Sequence, residues 1–140
     1  MDDLAKARLC ADTMMANDRA SHALGIAIEI LALGSATATM IVRDDMVNGF
    51  DVIHGGLTFT LADTAFAFAC NGYDNQSFAA SAQVEFLRPA VKGDVLTATA
   101  TEDHRGRRNG YYTVTVRNQR DDVVALFRGR SVANGEPLLK

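Results

Sequence analysis

The amino-acid sequence predicts an α+β domain in which an antiparallel sheet of five to six strands wraps around one long central helix. The side chains of residues 57–70 are apolar or small on nearly every side, a pattern that is typical of a buried helix. Before and after this helix, segments of the chain alternate apolar and polar residues, as strands with one buried face do. A single sheet covers only one side of such a helix, so we expect a second subunit to cover the other side.

The first third of the chain predicts a short helix and a hairpin. Residues 4–17 carry apolar side chains at helical spacing, with Asp3 as the N-cap, and residues 19–25 form a polar connection. Residues 26–30 and 36–42 are separated by Gly34 and Ser35, which predicts two strands joined by a tight turn. A loop over residues 43–53 then leads to the central helix.

The central helix begins at Gly55 and Gly56 and ends before Asn71 and Gly72, a common helix stop. Four further strand segments follow it, which gives the order α-ββ-α-ββββ. Pro89 breaks the first of them, because proline favours a strand end or an edge. The segments are residues 79–91, 94–103, 111–118 and 123–132, with a turn at residues 119–122.

Length and composition are those of one globular domain spanning residues 1–140. The hydrophobic fraction of 48% provides a core, and the formal net charge of -3 argues against a nucleic-acid surface. Cys10 and Cys70 lack metal-ligand spacing and are typical of reduced intracellular thiols. Neither a signal peptide nor a membrane-spanning apolar run is present, so we expect a cytoplasmic protein that uses no membrane, metal or cofactor.

Asp63 is an ionisable residue in the middle of the apolar central helix. Because desolvating an unpaired carboxylate is costly, a residue kept there either pairs with something or does chemistry. One interpretation is a structural aspartate that is hydrogen-bonded to Thr60 or Thr64 or faces water at a subunit boundary. We favour a carboxylate that acts as nucleophile or general base, with a pKa raised by its apolar surroundings.

Gly55 and Gly56 place glycine at the start of the helix, where backbone N–H groups carry partial positive charge. Such groups bind anions or polarise carbonyls, and glycine allows close approach, although a simple hinge is the alternative. Gly55 and Asp63 lie roughly 12 Å apart along the helix axis. One carbonyl cannot touch both in one chain, so joint action requires a two-fold dimer, which supplies two such sites.

Three other polar residues near the helix are weaker candidates. His54 either orients a substrate group or caps the helix, Asn48 belongs to an Asn-Gly turn pair, and Ser81 lies near the start of a strand. A triad of Ser81, His54 and Asp63 is rejected, because the G-x-S-x-G nucleophile motif is absent.

A basic cluster occupies residues 104–108 and includes Arg107 and Arg108, with Arg88 and Lys92 as further cations. Such charges commonly form a solvated hairpin tip. They also suit the phosphates of a nucleotide-bearing ligand. In an acidic protein, a single cluster of this kind indicates a small anionic ligand rather than a nucleic acid.

Two motifs connect these candidates to a known family. They are Asn48-Gly49-x4-His54-Gly55-Gly56-x6-Asp63-Thr64-Ala65 and Phe86-Leu87-Arg88-Pro89. In these motifs, and in shorter matches over nearly the whole chain, the sequence resembles the hotdog-fold acyl-CoA thioesterases, more narrowly those of phenylacetate degradation. The resemblance implies a long helix wrapped by an antiparallel sheet, homodimers paired into a homotetramer, and active sites between subunits.

The resemblance also assigns roles to individual residues. It implies that Asp63 activates water or attacks the thioester, and that the Gly55 N–H polarises the carbonyl. It places Asn48 and His54 beside them and uses the Ser81 hydroxyl to position water. The residues expected to contact the substrate are Gly56, Arg88, Pro89, Arg107 and Arg108.

Together these features predict hydrolysis of an acyl-CoA thioester to a free acid and coenzyme A. The resemblance favours an aryl-acetyl group, phenylacetyl or hydroxylated phenylacetyl. Four phenylalanines suit an aromatic pocket but are equally ordinary core residues: Phe50, Phe59, Phe66 and Phe68. The alternatives are a non-catalytic binding protein for acyl-CoA or aromatic acids and a hotdog hydratase.

Overall fold

The computed structural model describes residues 1–139, and Lys140, the last residue of the predicted domain, lies outside them. The helices are α1 (Asp3–Asn17), α2 (Arg19–Leu24) and α3 (Gly55–Cys70). The strands are β1 (Ala27–Glu29), β2 (Ser35–Ile41), β3 (Ser77–Phe86), β4 (Val95–Arg105), β5 (Asn109–Arg117) and β6 (Val123–Ala133). A 3₁₀ turn, Asp44–Met46, lies in the loop before α3.

The strands form one antiparallel sheet in the order β1-β2-β4-β5-β6-β3. Helix α3 lies on one face of this sheet, mainly against β2, β4 and β5. The strand residues that face it include Ala38, Ala98, Val114 and Phe127, all without solvent contact. The prediction of an antiparallel sheet of five to six strands around a central helix is confirmed, with six strands.

The sheet covers only one side of α3. Leu61, Ala65 and Phe66 are buried against the strands. On the opposite side, residues spaced three or four apart remain exposed or half-exposed: Gly56, Thr60, Asp63, Thr64 and Ala67. We call this set the open stripe. Nowhere in residues 1–139 is a helix both long and apolar enough to cross a membrane.

Two predictions for the N-terminal region were wrong. The N-cap of α1 is Asp2 rather than Asp3, because the Asp2 carboxylate accepts the Ala5 N–H at 2.7 Å. The predicted polar connection is helix α2. Its N-cap is Asp18, whose carboxylate accepts the Ser21 N–H, and its C-cap is Gly25 in the left-handed conformation with φ +69°.

Strand β3 forms one edge of the sheet, and within the described residues 1–139 it pairs only with β6, on its inner side. It ends at Phe86, three residues before Pro89, so the predicted strand over residues 79–91 is too long at its C-terminal end. Apart from the half-buried Ser77 and Val84, every residue of β3 is exposed. A ten-residue edge strand with this exposure is a surface that proteins normally pair or cover.

Close packing of α3 on β6 makes Gly129 sensitive to substitution. A Cβ at this position would lie 2.9 Å from Cζ of Phe66, whose ring is buried, so the helix or the strand would have to move. We expect Gly129→Ala to lower the free energy of unfolding by about 1–3 kcal/mol, measured by urea denaturation. Gly49→Ala is the control, since its Cβ would meet nothing within 4 Å; equal losses in both variants would contradict the packing argument.

Candidate active site

Asp63 lies in the middle of α3, on the open stripe, and is half-buried. Burial raises the pKa of its carboxyl group, and no charged or hydrogen-bonding neighbour within residues 1–139 contributes to the shift. The Thr60 hydroxyl donates to the Gly56 carbonyl at 2.8 Å, and the Thr64 hydroxyl donates to the Thr60 carbonyl at 2.6 Å. The interpretation of Asp63 as a carboxylate held by these threonines is therefore wrong.

The N-terminus of α3 has one backbone donor that is not used. His54 is the N-cap, and its Nδ1 atom accepts the Gly56 N–H at 3.1 Å. The Leu57 N–H donates to the His54 carbonyl at 2.9 Å. Within residues 1–139, the Gly55 N–H donates to no acceptor, so it is free for a ligand at the positive end of the helix.

Gly55 lines a cleft of about 330 Å³. Its lining residues are Ile53, Gly55, Thr58, Phe86, Leu87, Arg88, Pro89 and Val124. A Cβ on Gly55 would lie 3.2 Å from Cζ of Phe86, so glycine allows the ring to pack against the helix start. The structure thus brings Gly55, Arg88 and Pro89 together in one cleft, and their contact with substrate stays a prediction. The Arg88 side chain is 56% exposed and lies 3.7 Å from the Asp122 carboxylate.

Asn48 and His54 both have structural roles at the entrance to α3. The Asn48 side-chain carbonyl accepts the Phe50 N–H at 2.9 Å, which is the turn interpretation of this residue. The His54 ring caps the helix, which leaves its Nε2 atom as the nitrogen available to a ligand. A contact of either residue with substrate stays a prediction.

Ser81 does not lie beside Asp63 in the same chain. It pairs with Arg130, and directly paired residues of an antiparallel sheet point to the same face. Val84 pairs with Phe127, which packs against α3, so Val84 points to the helix side of the sheet. Side chains alternate along a strand, and Ser81 is three residues from Val84, so Ser81 points to the outer face. There it lines a cleft of about 370 Å³ with Tyr111 and Arg130.

Arg107 and Arg108 occupy the turn between β4 and β5, where the Gly106 N–H donates to the Asn109 carbonyl at 2.8 Å. This is the predicted hairpin tip. It lies near Cys70, the last residue of α3, and not near Gly55. Because α3 has 16 residues and is therefore about 24 Å long, these arginines and Gly55 belong to opposite ends of one subunit.

Comparisons with known proteins agree with this architecture. Residues 50–125 match the family model described as Thioesterase superfamily. The acyl-coenzyme A thioesterase PaaI of Escherichia coli is 46% identical over 121 residues, which cover 86% of each protein. The chain belongs to the thioesterase superfamily.

Solved structures of relatives support the same assignment of this thioesterase. The structure of the E. coli PaaI protein from the phenylacetic acid degradation operon has a TM-score of 0.95 and 43% identity, covering 97% of this chain and 99% of that one. A variant of the phenylacetic acid degradation protein PaaI of Thermus thermophilus has a TM-score of 0.79 and 35% identity, covering 82% and 98%. The predictions of a hotdog fold and of a thioesterase are confirmed.

Two of the cleft residues for which no role was predicted are Phe86 and Thr58. Phe86 was noted only as part of a motif, and its contact with Gly55 depends on how β3 crosses the start of α3. Thr58 follows Gly55 by three residues, a spacing that places both on one side of a helix. This three-residue spacing was the feature of the sequence that could have identified Thr58 as a cleft residue. Among residues 1–139, no group of three or more metal-ligating side chains is close enough to hold a metal ion.

The raised pKa of Asp63 predicts a pH-dependent stability difference. A group whose native pKa is raised contributes stability at low pH and loses that contribution as pH rises through the native pKa. Asp63→Asn removes the ionisation, so we expect the Tm of the variant, relative to wild type, to rise from acid to neutral pH.

Thermal unfolding at several pH values from below the ordinary carboxyl pKa of about 4 upward tests this direction. Asp12→Asn, at an exposed position of α1, is the control for removal of a helical carboxylate as such. If the Tm of Asp63→Asn minus that of wild type falls from acid to neutral pH, the conclusion that burial raises the pKa of Asp63 is contradicted.

Proposed function

We propose that this thioesterase hydrolyses acyl-CoA thioesters, with an aryl-acetyl group such as phenylacetyl or hydroxylated phenylacetyl, to the free acid and coenzyme A. The active site forms between two subunits, from Asp63 of one and the Gly55 N–H of the other. The observation that carries this proposal is that residues 1–139 of one chain provide a partner for neither group, and that the two groups are too far apart to act together. The identity to E. coli PaaI supports the substrate class.

The dimer is proposed from two adjacent surfaces that one chain leaves uncovered. Edge strand β3 exposes backbone hydrogen-bonding groups together with Phe78 and Phe86, which are 54% and 56% exposed. The open stripe of α3 consists of small residues that allow another helix to approach. A two-fold axis beside β3 extends the sheet into the partner and brings the two α3 helices together in antiparallel orientation.

This arrangement brings a Gly55 and an Asp63 close together, although the two residues of one chain are far apart. In a pair of antiparallel helices related by a two-fold axis, residue 55 of one lies opposite residue 63 of the other when the axis passes near residue 59. The Gly55 N–H of one subunit then faces Asp63 of the partner subunit across the seam. Symmetry generates the same pair a second time, so each dimer has two active sites.

The chemistry follows from these two groups. Asp63 either takes a proton from a water molecule that attacks the thioester carbonyl carbon, or attacks that carbon itself. In both routes the carbonyl oxygen gains negative charge, which the Gly55 N–H and the positive end of α3 stabilise. Collapse of the tetrahedral intermediate breaks the C–S bond, and the thiolate of coenzyme A leaves and takes up a proton. In the second route, water then hydrolyses the acyl-Asp63 anhydride.

The dimer also gives the distant arginines a role. In the antiparallel pair, the C-terminal end of α3 in one subunit lies beyond the N-terminal end of α3 in the other. Arg107 and Arg108 of the partner subunit therefore approach the cleft that contains Gly55, Arg88 and Pro89, with Gly56 next to Gly55 in the chain. We assign the arginines to the phosphates of coenzyme A and the cleft to the rest of the substrate near the thioester.

The remaining predictions about assembly are part of this proposal. Residues 1–140 form one hotdog domain. Two dimers form a tetramer, for which the outer face of the sheet is available, with Thr37, Thr99 and Thr115 side by side and Tyr111 and Leu126 exposed. Ser81 lies on this outer face, so a role for its hydroxyl in the active site would require a contact across that second interface.

Burial narrows the choice among the phenylalanines for the acyl pocket. Phe66 and Phe68 are 1% and 2% exposed and are core residues, and Phe59 packs edge-on against Phe127. Phe50, 87% exposed and two residues after Asn48, is the phenylalanine available to an aryl group or to the partner. A screen of aryl-acetyl, benzoyl and straight-chain CoA esters tests the preference.

Release of a free thiol distinguishes the proposed reaction from its alternatives. With phenylacetyl-CoA and a thiol-trapping dye, we expect steady colour formation from wild type and a kcat at least about 100-fold lower from Asp63→Asn. Size-exclusion chromatography checks that the variant assembles as wild type does. Binding without thiol release would indicate a binding protein, addition of water to a double bond without thiol release would indicate a hydratase, and a correctly assembled variant with near wild-type kcat would remove Asp63 from the mechanism.

Mixed dimers test whether the site is shared. Gly55 is the first residue of α3, where proline fits the helix and removes the N–H, so Gly55→Pro is expected to be inactive. Gly55→Ala is the matched control, because its Cβ meets the Phe86 ring but the N–H is kept. In a dimer of Asp63→Asn with Gly55→Pro, one of the two sites is intact.

Random mixing of equal amounts of these two inactive variants after unfolding and refolding is expected to recover about a quarter of wild-type activity, because half of the dimers are mixed and each has one intact site. Absence of recovery in verified mixed dimers would contradict an interface site. Activity of Gly55→Pro equal to that of Gly55→Ala would contradict the role of the N–H.

A further inference from the structure

Thr58 lies one helical turn after Gly55 and lines the same cleft. Residues three apart on an α-helix share a side, and side chains lean toward the N-terminus of the helix. The Thr58 side chain therefore extends back toward the free Gly55 N–H. The residue is 1% exposed, so almost none of it reaches solvent.

The Thr58 hydroxyl is not used by the protein. Thr13, Thr60 and Thr64 each donate a hydrogen bond to the carbonyl one turn earlier, at 2.9, 2.8 and 2.6 Å. The Thr58 hydroxyl makes no such bond and no other within residues 1–139. Every fully buried side-chain nitrogen and oxygen in this range has a partner, so the Thr58 oxygen is not fully buried. It is the part of Thr58 that reaches the cleft.

Packing does not explain a hydroxyl in this position. A threonine enclosed by apolar neighbours normally satisfies its hydroxyl with a hydrogen bond inside the protein. Valine has the same shape and would fill the position without a polar atom that only the cleft can satisfy. The hydroxyl is therefore expected to bond to a group that enters the cleft.

We propose that the Thr58 hydroxyl is a second hydrogen-bond donor to the thioester carbonyl oxygen, beside the Gly55 N–H. This inference rests on the proposed function, since it adds a donor to the same site. The two donors come from one turn of one helix and line the same cleft. As water or Asp63 of the partner subunit attacks the carbonyl carbon, both donors stabilise the charge that develops on the oxygen. Thr58 is thereby a catalytic residue.

Three measurements on wild type, Thr58→Val and Thr58→Ser test the assignment. With phenylacetyl-CoA, we expect Thr58→Val to lower kcat by at least about tenfold with little change in KM, and Thr58→Ser to restore most of it. The Tm of Thr58→Val is expected to equal or exceed that of wild type, because no hydrogen bond within the protein is lost. Binding of the thioether analogue of phenylacetyl-CoA, in which a methylene replaces the carbonyl, is expected to be equal in all three proteins.

The outcomes separate this inference from the function on which it rests. Thiol release by wild type with an unchanged kcat in Thr58→Val overturns the role of Thr58 and leaves the hydrolase intact. A lower Tm in Thr58→Val, or a loss of kcat that serine does not restore, assigns the residue to structure and also overturns the proposal. Absence of thiol release from wild type overturns both. Thr13→Val is the control, since it removes a helical hydroxyl of α1 far from the cleft.

Discussion

The main constraint on this structure is that helix α3 is apolar on nearly all sides, whereas the sheet can cover only one side of it. The strands bury Leu61, Ala65 and Phe66, and the opposite side of α3 stays exposed or half-exposed in one chain. Asp63 belongs to that uncovered side. Among residues 1–139 it has no partner, and its partial burial raises its pKa; in the proposed dimer a neighbouring subunit completes its surroundings. The same packing constraint therefore governs assembly and the proposed chemistry.

The start of α3 shows how backbone donors are distributed in such a site. The Gly56 N–H donates a hydrogen bond to the His54 ring, and the Leu57 N–H donates a hydrogen bond to the His54 carbonyl. The Gly55 N–H is left, and the ring of Phe86 lies against this glycine because it has no Cβ. A rigid, capped helix end with one free donor is already organised to stabilise charge on a ligand, which is why its contribution is expected in the transition state.

Much of the fold and part of the site could be predicted from sequence patterns, and the errors have local causes. Helix α2 was missed because six residues are too few for a clear apolar period, although Asp18 and Gly25 mark its ends. The alternation in β3 places Ser81 with the polar residues, and the structure agrees with the alternation. Ser81 was a weak candidate from its position near the start of a strand, and the family resemblance then assigned its hydroxyl to the active site. Thr58 was overlooked because a threonine inside an apolar helix gives no signal unless its hydrogen bonds are known.

The sequence by itself determined the central helix with its glycine start, the strand segments, the acidic residue within the helix and the family. These properties depend on residues that are close along the chain, where periodicity and motif spacing are direct expressions of local geometry. Only the tertiary structure decided that the Gly55 N–H is free while the Gly56 N–H is bound, that Arg107 and Arg108 lie at the far end of α3 from Gly55, and that β3 is an open edge. Those properties depend on which distant segments meet, because a hydrogen-bonding group or a strand edge is free only when the folded chain brings nothing to it.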